Sequence, residues 1–157
     1  MSRLFDVKLG SGVGDIEDIG HAREYANLLI GIAAGLGMSA DVVITRSDEP
    51  IGNYIGNTLE IQEAVHVLSG NGPRVSVELV TTLGAQMLLL TEKVTSRHDA
   101  VQLIENAINN GAALRKFEKM VVSSGAGEEV VKNLCGKNFF VLEEAGVVTS
   151  LAAEESG

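Results

Sequence analysis

A strand, helix, strand order at the start of the chain constrains its fold more than any other feature. Arg3 to Leu9 is short and moderately apolar, and Ala40 to Thr45 is rich in β-branched residues, so both segments predict strands. Between them, Asp15 or Asp18 can cap a helix that Gly37 ends. Its apolar residues recur on one face, at Ala22, Tyr25, Ala26, Leu29, Ile32, Ala33 and Leu36. This order predicts a parallel pair of strands with a right-handed crossover.

The rest of the chain predicts mainly helices. The segment "NTLEIQEAVHVL" (57–68) is followed by a firm break at "GNGP" (70–73). Further apolar stripes recur at helical spacing, at Val77, Val80, Leu83, Met87, Leu88 and Leu90, at Ala100, Leu103, Ile104, Ala107 and Ile108, and at Leu114, Phe117, Met120 and Val121. The sequence therefore predicts an α/β fold with a partial parallel sheet and a helix-rich second half.

Composition indicates one globular domain in the cytoplasm. The 157 residues are 45% hydrophobic and 21% charged, a balance typical of a folded protein. The net charge of -9, without a cluster of Lys and Arg, argues against nucleic-acid binding. No apolar run suits a membrane helix or a signal peptide, and a single Cys135 excludes an internal disulfide.

The glycine-rich stretch "GSGVGD" (10–15) raises the question of a phosphate-binding loop. Its third glycine, Gly14, arrives one position too early for a dinucleotide fingerprint, and the Lys of a Walker A loop is absent. Asp15, Glu17 and Asp18 add negative charge that would repel a phosphate at the following helix N-terminus. The loop by itself therefore does not indicate a nucleotide site.

The longer context resembles a known family. "DVKLGSG", "AREYANLLIGIAAGLG", "VVITRSDEPIGNYIGNTLEIQEAV", "GNGP", "LVTTLGAQMLLL" and "GAALRKFEKMV" follow one another as in the middle of thymidine phosphorylase and related pyrimidine-nucleoside phosphorylases. The resemblance runs from about Leu4 to Leu134. It implies a pentosyltransferase that reversibly converts a pyrimidine nucleoside and phosphate to the free base and a pentose 1-phosphate. It also implies a homodimer and no organic cofactor.

The resemblance also implies that the chain is a central fragment. In the family, the phosphate-binding loop and the Arg, Ser and Lys that hold the pyrimidine precede the Asp-Val-Lys strand. We therefore expect residues 1–142 to be the central part of the α/β domain, 143–157 to be the truncated start of a C-terminal domain, and the isolated chain to contain no catalytic residue and to be inactive. The turn after Gly-Ser-Gly, Val13 to Asp15, departs from the family pattern, which leaves the loop's shape open.

One family site falls inside the chain. Carried over by position, the resemblance places a structural potassium ion on the backbone carbonyl oxygens of Ile51 and Tyr54 and the side-chain carboxylate of Glu63. Hard cations prefer such oxygen ligands. The alternative is that Glu63 is an ordinary solvated helix residue, on one face with Glu60.

Two further residues are candidates for the substrate cleft. Lys8 lies at the carboxyl end of a predicted parallel strand, where α/β folds bind ligands, although a structural ion pair with Asp6 is the alternative. Ser11 can donate a hydrogen bond from the glycine loop, or simply form a turn. His21, His66 and His98 show no metal or triad spacing.

Two other functions stay open at this point. An enzyme similar to anthranilate phosphoribosyltransferase shares the two-domain architecture, although the Asp-Val-Lys and Pro-x-Gly segments favour the phosphorylases. A catalytically silent dimerisation or interaction module is the expectation for the 157-residue chain acting alone.

Overall fold

The computed structural model describes residues 1–11, 14, 16–143 and 145–154. Within them lie two strands and six α-helices, and a short 3-10 helix follows the last of these. Their bounds are β1 Ser2–Leu9, α1 Ile19–Gly35, β2 Ser39–Arg46, α2 Asn57–Leu68, α3 Arg74–Leu90, α4 Arg97–Asn109, α5 Ala112–Ser123, α6 Glu128–Cys135 and the 3-10 turn Phe139–Val141. The predicted α/β class and the helix-rich second half are confirmed.

The two strands form a parallel sheet, as the strand, helix, strand order predicts. Their register pairs Ser2 with Ser39 at one end and Leu9 with Arg46 at the other. Beyond the strands, the Ser47 N–H donates to the Leu9 carbonyl at 2.8 Å, which extends the pairing by one residue. The carboxyl ends of both strands therefore lie side by side.

Helix α1 begins at Ile19 because Asp18 caps it. The Asp18 carboxylate accepts hydrogen bonds from the Gly20 and His21 N–H groups at 2.8 and 3.1 Å. Asp15, the other predicted cap, lies outside the described residues. Only part of the predicted apolar face is buried, at Ala22, Ala26 and Ala33.

Three of the larger side chains on the apolar face of α1 are exposed. Tyr25, Ile32 and Leu36 are 45%, 54% and 68% exposed. Small alanine side chains let the helix approach β2 closely, and a pair of strands is too narrow to cover a second row of side chains. These larger residues therefore remain on the surface of the described chain.

Helices α2 to α6 hold most of the core. Val65 of α2 and Val131 of α6 are its largest fully buried side chains, and Val67, Ala85, Ala100, Ile108 and Leu134 are also buried. Helix α3 packs on both strands, and the Gln86 side-chain amide donates to the Asp41 carboxylate of β2. This contact fixes α3 beside the sheet.

The end of the chain packs less well. Helix α6 is an element that apolar spacing does not single out, and Val147, Val148 and Leu151 beyond it are 84%, 88% and 94% exposed. Residues 145–154 form neither helix nor strand. Across the described part of the chain, every helix is too short or too polar to span a bilayer.

Candidate functional site

A cavity of about 680 Å³ opens where the carboxyl ends of the two strands face α2 and α3. Such a volume is typical of small-molecule sites, and this position is the usual one for ligands in parallel sheets. The cavity lining includes several polar side chains and residues of the turn before α2, namely Lys8, Ser47, Ile51, Tyr54, Glu63 and Ser76. The fold thus brings together Lys8 and all three residues of the predicted cation site.

Lys8 is held at the cavity by the neighbouring strand. Its ammonium donates to Asp6 Oδ2 at 2.7 Å and to Thr45 Oγ1 at 3.0 Å, and the Thr45 hydroxyl donates to Asp6 Oδ1 at 2.5 Å. Parallel register places Lys8 directly beside Thr45, while Asp6 and Lys8 lie on the same face of β1. The ion pair that the sequence offers as the structural role is present. The Lys8 side chain is still 31% exposed, which leaves part of the ammonium open to the cavity.

Glu63 is buried, so the alternative that it is an ordinary solvated residue is wrong. It is 8% exposed, Oε1 accepts a hydrogen bond from Ser76 Oγ at 2.8 Å, and Oε2 accepts one from the Asn53 N–H at 2.7 Å. The carboxylate therefore ties the turn before α2 to the first residues of α3. Glu60, by contrast, is exposed and accepts only from the Gly56 N–H, at 3.1 Å.

The turn that ends at Tyr54 is pressed against this carboxylate. Gly52 has φ +80°, and a Cβ added there would lie 1.8 Å from Glu63 Oε1. Only glycine combines this backbone conformation with so close an approach. The conformation of the turn and the position of the Glu63 carboxylate therefore depend on each other.

A monovalent cation fits the site formed by the Glu63 carboxylate and the turn that ends at Tyr54. In residues 1–11, 14, 16–143 and 145–154, the ion pairs are Lys8 with Asp6 and Arg46 with Asp48, so the buried Glu63 carboxylate has no cationic side chain bonded to it. Buried charges are otherwise paired or coordinate a metal. The same residues hold no group of three or more His, Cys, Asp or Glu side chains suited to a transition metal. Ile51 and Tyr54 would add carbonyl oxygens, the ligands that a hard cation prefers.

Ser11 does not line the cavity. Its N–H donates to Asp48 Oδ1 at 3.3 Å, and Arg46 Nε donates to Asp48 Oδ2 at 2.9 Å. Asp48 therefore joins the start of the glycine loop to the residues after β2. Three further positions of that loop, Gly12, Val13 and Asp15, lie outside the described residues. The structure therefore does not test the loop as a phosphate site.

The hydrogen bond from Arg46 makes the Asp48 link dependent on pH. This bond, with a smaller contribution from the Ser11 N–H, holds the pKa of Asp48 below its usual value. A carboxylate with a lowered pKa contributes stability at higher pH and loses it as pH falls through that lowered pKa. We expect the Ser11 amide shift in an NMR titration to change with a midpoint below the usual aspartate value. In Arg46→Gln the midpoint should rise, and equal midpoints in the two proteins would contradict the assignment.

Sequence reasoning missed two buried serines of the cavity. Ser47 and Ser76 are each 7% exposed. Nothing in their sequence neighbourhoods marks them, because serine is mostly exposed and its burial depends on distant packing. His66, one of the three histidines without metal or triad spacing, is half-buried against Phe139, with ring centroids 5.2 Å apart.

Comparison with known proteins agrees with the geometry. Residues 13–114 match the model of a glycosyl transferase family, a/b domain. A pyrimidine-nucleoside phosphorylase of Staphylococcus epidermidis is 35% identical over 160 residues, which cover 98% of this chain and 37% of that protein. A pyrimidine-nucleoside phosphorylase of Staphylococcus aureus is 35% identical over 162 residues, with the same coverage. The chain therefore spans 37% of the length of the curated relatives that it matches.

Proposed function

We propose, from the premise that the chain belongs to the glycosyl transferase family defined by this a/b domain, that it supplies one wall of the active-site cleft of a pyrimidine-nucleoside phosphorylase. The observation that carries the proposal is the cavity at the carboxyl ends of the strands, in a chain 35% identical over 98% of its length to such enzymes. Similarity to phosphorylases also favours this function over that of a phosphoribosyltransferase.

Phosphorolysis requires two functions of the residues that line such a cleft. The glycosidic bond between C1′ and the pyrimidine nitrogen breaks while a phosphate oxygen bonds to C1′. Positive charge develops on the sugar, and the electron pair of the broken bond leaves with the base. The enzyme therefore has to place phosphate against C1′ and stabilise negative charge on the departing pyrimidine.

Lys8 is the residue of this chain suited to the second task. Asp6 and Thr45 take two of the three N–H donors of its ammonium and fix its position. The remaining donor can approach the departing pyrimidine, where a preorganised positive charge is most effective. In the family that the chain resembles, the phosphate loop and the further groups that hold the base precede the Asp-Val-Lys strand.

The cation site completes the proposal. A potassium ion on the carbonyl oxygens of Ile51 and Tyr54 and on the Glu63 carboxylate would hold the turn that forms one side of the cavity. Its role would be structural, since the ion would neutralise a buried carboxylate. The family resemblance further implies a homodimer.

Lys8→Met, made in the chain completed by the remaining segments of its relatives, is the variant that tests the proposal. We expect kcat/KM for phosphorolysis of uridine and thymidine to fall roughly 100-fold, a typical cost of removing one donor from a developing negative charge. Lys93→Met, at an exposed position away from the cavity, should leave the rate unchanged. Base release is measured spectrophotometrically on proteins whose circular dichroism spectra match.

Two results would count against this function. Unchanged kcat/KM in a folded Lys8→Met protein would show that Lys8 takes no part in the reaction. Failure of the folded chain to cleave any pyrimidine nucleoside once it is completed by the remaining segments of its relatives would overturn the proposed activity and favour a silent interaction module.

A further inference from the structure

A buried hydroxyl without a partner lies at the carboxyl end of the sheet. Ser47 follows directly after β2, is 7% exposed and lines the cavity. Its N–H donates to the Leu9 carbonyl, but Oγ has no hydrogen-bond partner among the residues that the structure describes. Leaving a buried polar group unsatisfied is costly, so such a group is a sign of a missing partner.

Ser76 provides an internal comparison. It has the same 7% exposure and lines the same cavity, yet its hydroxyl donates to Glu63 at 2.8 Å. The fold can therefore satisfy a buried serine at this cavity from its own side chains. At Ser47 it does not, which points to a partner that enters the cavity from outside.

The charges around the cavity limit what that partner can be. One cationic side chain lines it, Lys8, and this ammonium is already paired with Asp6. Four carboxylates line it as well, those of Asp48, Glu49, Glu60 and Glu63. Asp48 is paired with Arg46, and the proposed potassium ion would neutralise Glu63, but Glu49 and Glu60 still leave net negative charge that repels a phosphate. Most of the remaining lining is aliphatic and includes Ile51, Val67 and Leu79, which suits a neutral ligand with an apolar face.

We propose that Ser47 Oγ hydrogen-bonds the neutral nucleoside part of the substrate inside this cavity, and that phosphate binds outside it. The inference rests on the proposed function, whose nucleoside supplies both kinds of group that a hydroxyl can bond, sugar hydroxyls and base carbonyls. Ser47 is thereby a substrate-binding residue whose hydroxyl the free protein leaves unsatisfied. Its orphan state is a cost in stability that ligand binding removes.

This reasoning predicts opposite behaviour for the two serines. Ser47→Ala removes an unsatisfied group, so its Tm should equal or exceed that of the wild type, while uridine binding weakens roughly fivefold to tenfold for one lost hydrogen bond. Ser76→Ala leaves Glu63 Oε1 without a donor, so its Tm should fall. The test is a uridine titration of the full 157-residue chain, followed by the NMR amide shifts of residues 45–55, with Tm measured on the same samples.

Separate titrations identify the part of the nucleoside that Ser47 contacts. Uracil and D-ribose are titrated in turn, and the one whose binding weakens in Ser47→Ala carries the contacted group. Inorganic phosphate should leave the amide shifts of residues 45–55 unchanged and should not displace uridine.

Several results would overturn the inference. They are an absence of uridine binding by the wild-type chain, equal uridine affinity in wild type and Ser47→Ala, a Tm loss in Ser47→Ala as large as in Ser76→Ala, or displacement of uridine by phosphate. A chain that binds uridine through Ser47 but supports no phosphorolysis would uphold the inference and count against the proposed function alone.

Discussion

Replacing Gly52 by alanine is expected to lower the free energy of unfolding by about 4 kcal/mol, a large effect for one methyl group. Alanine at a positive φ costs about 1 kcal/mol. The added Cβ would also lie 1.8 Å from Glu63 Oε1 and force the carboxylate away. The Asn53 N–H and the Ser76 hydroxyl would then lose their acceptor, at about 1–3 kcal/mol each. Urea denaturation followed by circular dichroism measures the loss.

Gly37 supplies a matched control for this prediction. It also has a positive φ, +70°, but a Cβ there meets no atom within 4 Å. Gly37→Ala therefore isolates the backbone cost, and we expect a loss of about 1 kcal/mol. If Gly52→Ala costs no more than Gly37→Ala, the Glu63 carboxylate does not constrain the turn as the structure indicates.

Replacing Glu63 by alanine is expected to lower the free energy of unfolding by about 3 kcal/mol, because the buried Ser76 hydroxyl and the part-buried Asn53 N–H lose their acceptor. Glu63→Gln should lose about half as much, since the amide oxygen can still accept from one donor. Potassium should raise the Tm of the wild type by mass action, and should not raise that of Glu63→Ala. Thermal unfolding in potassium chloride and in choline chloride at equal ionic strength measures both effects.

Glu60 is the matched control on the same helix. It is exposed and accepts from a single backbone N–H, so Glu60→Ala should cost less than 1 kcal/mol and keep the potassium response. A wild-type Tm that is the same in potassium and choline salts would argue against the cation site. Glu63 would then serve only to hold the turn.

The local architecture follows from sequence patterns, whereas burial does not. The strands and α1 could be predicted because β-branched runs, helical spacing and the Asp18 cap act over a few residues. The exposure of Ile32 and Leu36 could not, because it depends on how wide a sheet lies beneath the helix. Apolar spacing identifies the face of a helix but not how much of that face is covered.

The residues of the candidate site were likewise only partly predictable from the sequence. The family resemblance selected Ile51, Tyr54 and Glu63, and the position at a strand end selected Lys8. The fold places all four on one cavity. Their roles in binding stay predictions. Ser47 and Ser76 escaped notice because the difference between a satisfied and an unsatisfied serine appears only when residues from separate elements meet.

The two ends of the cavity differ in how far apart their residues lie along the chain, and this difference bears on the order of folding. Glu63 and Ser76 are separated by 13 residues, whereas Lys8 and Thr45 are separated by 37. Closing a longer loop costs more entropy, so contacts between near residues tend to form first. The Glu63 end would then be organised while the strands are still unpaired. Competence to bind a ligand through Lys8 and Ser47 would be acquired last, when β2 docks beside β1.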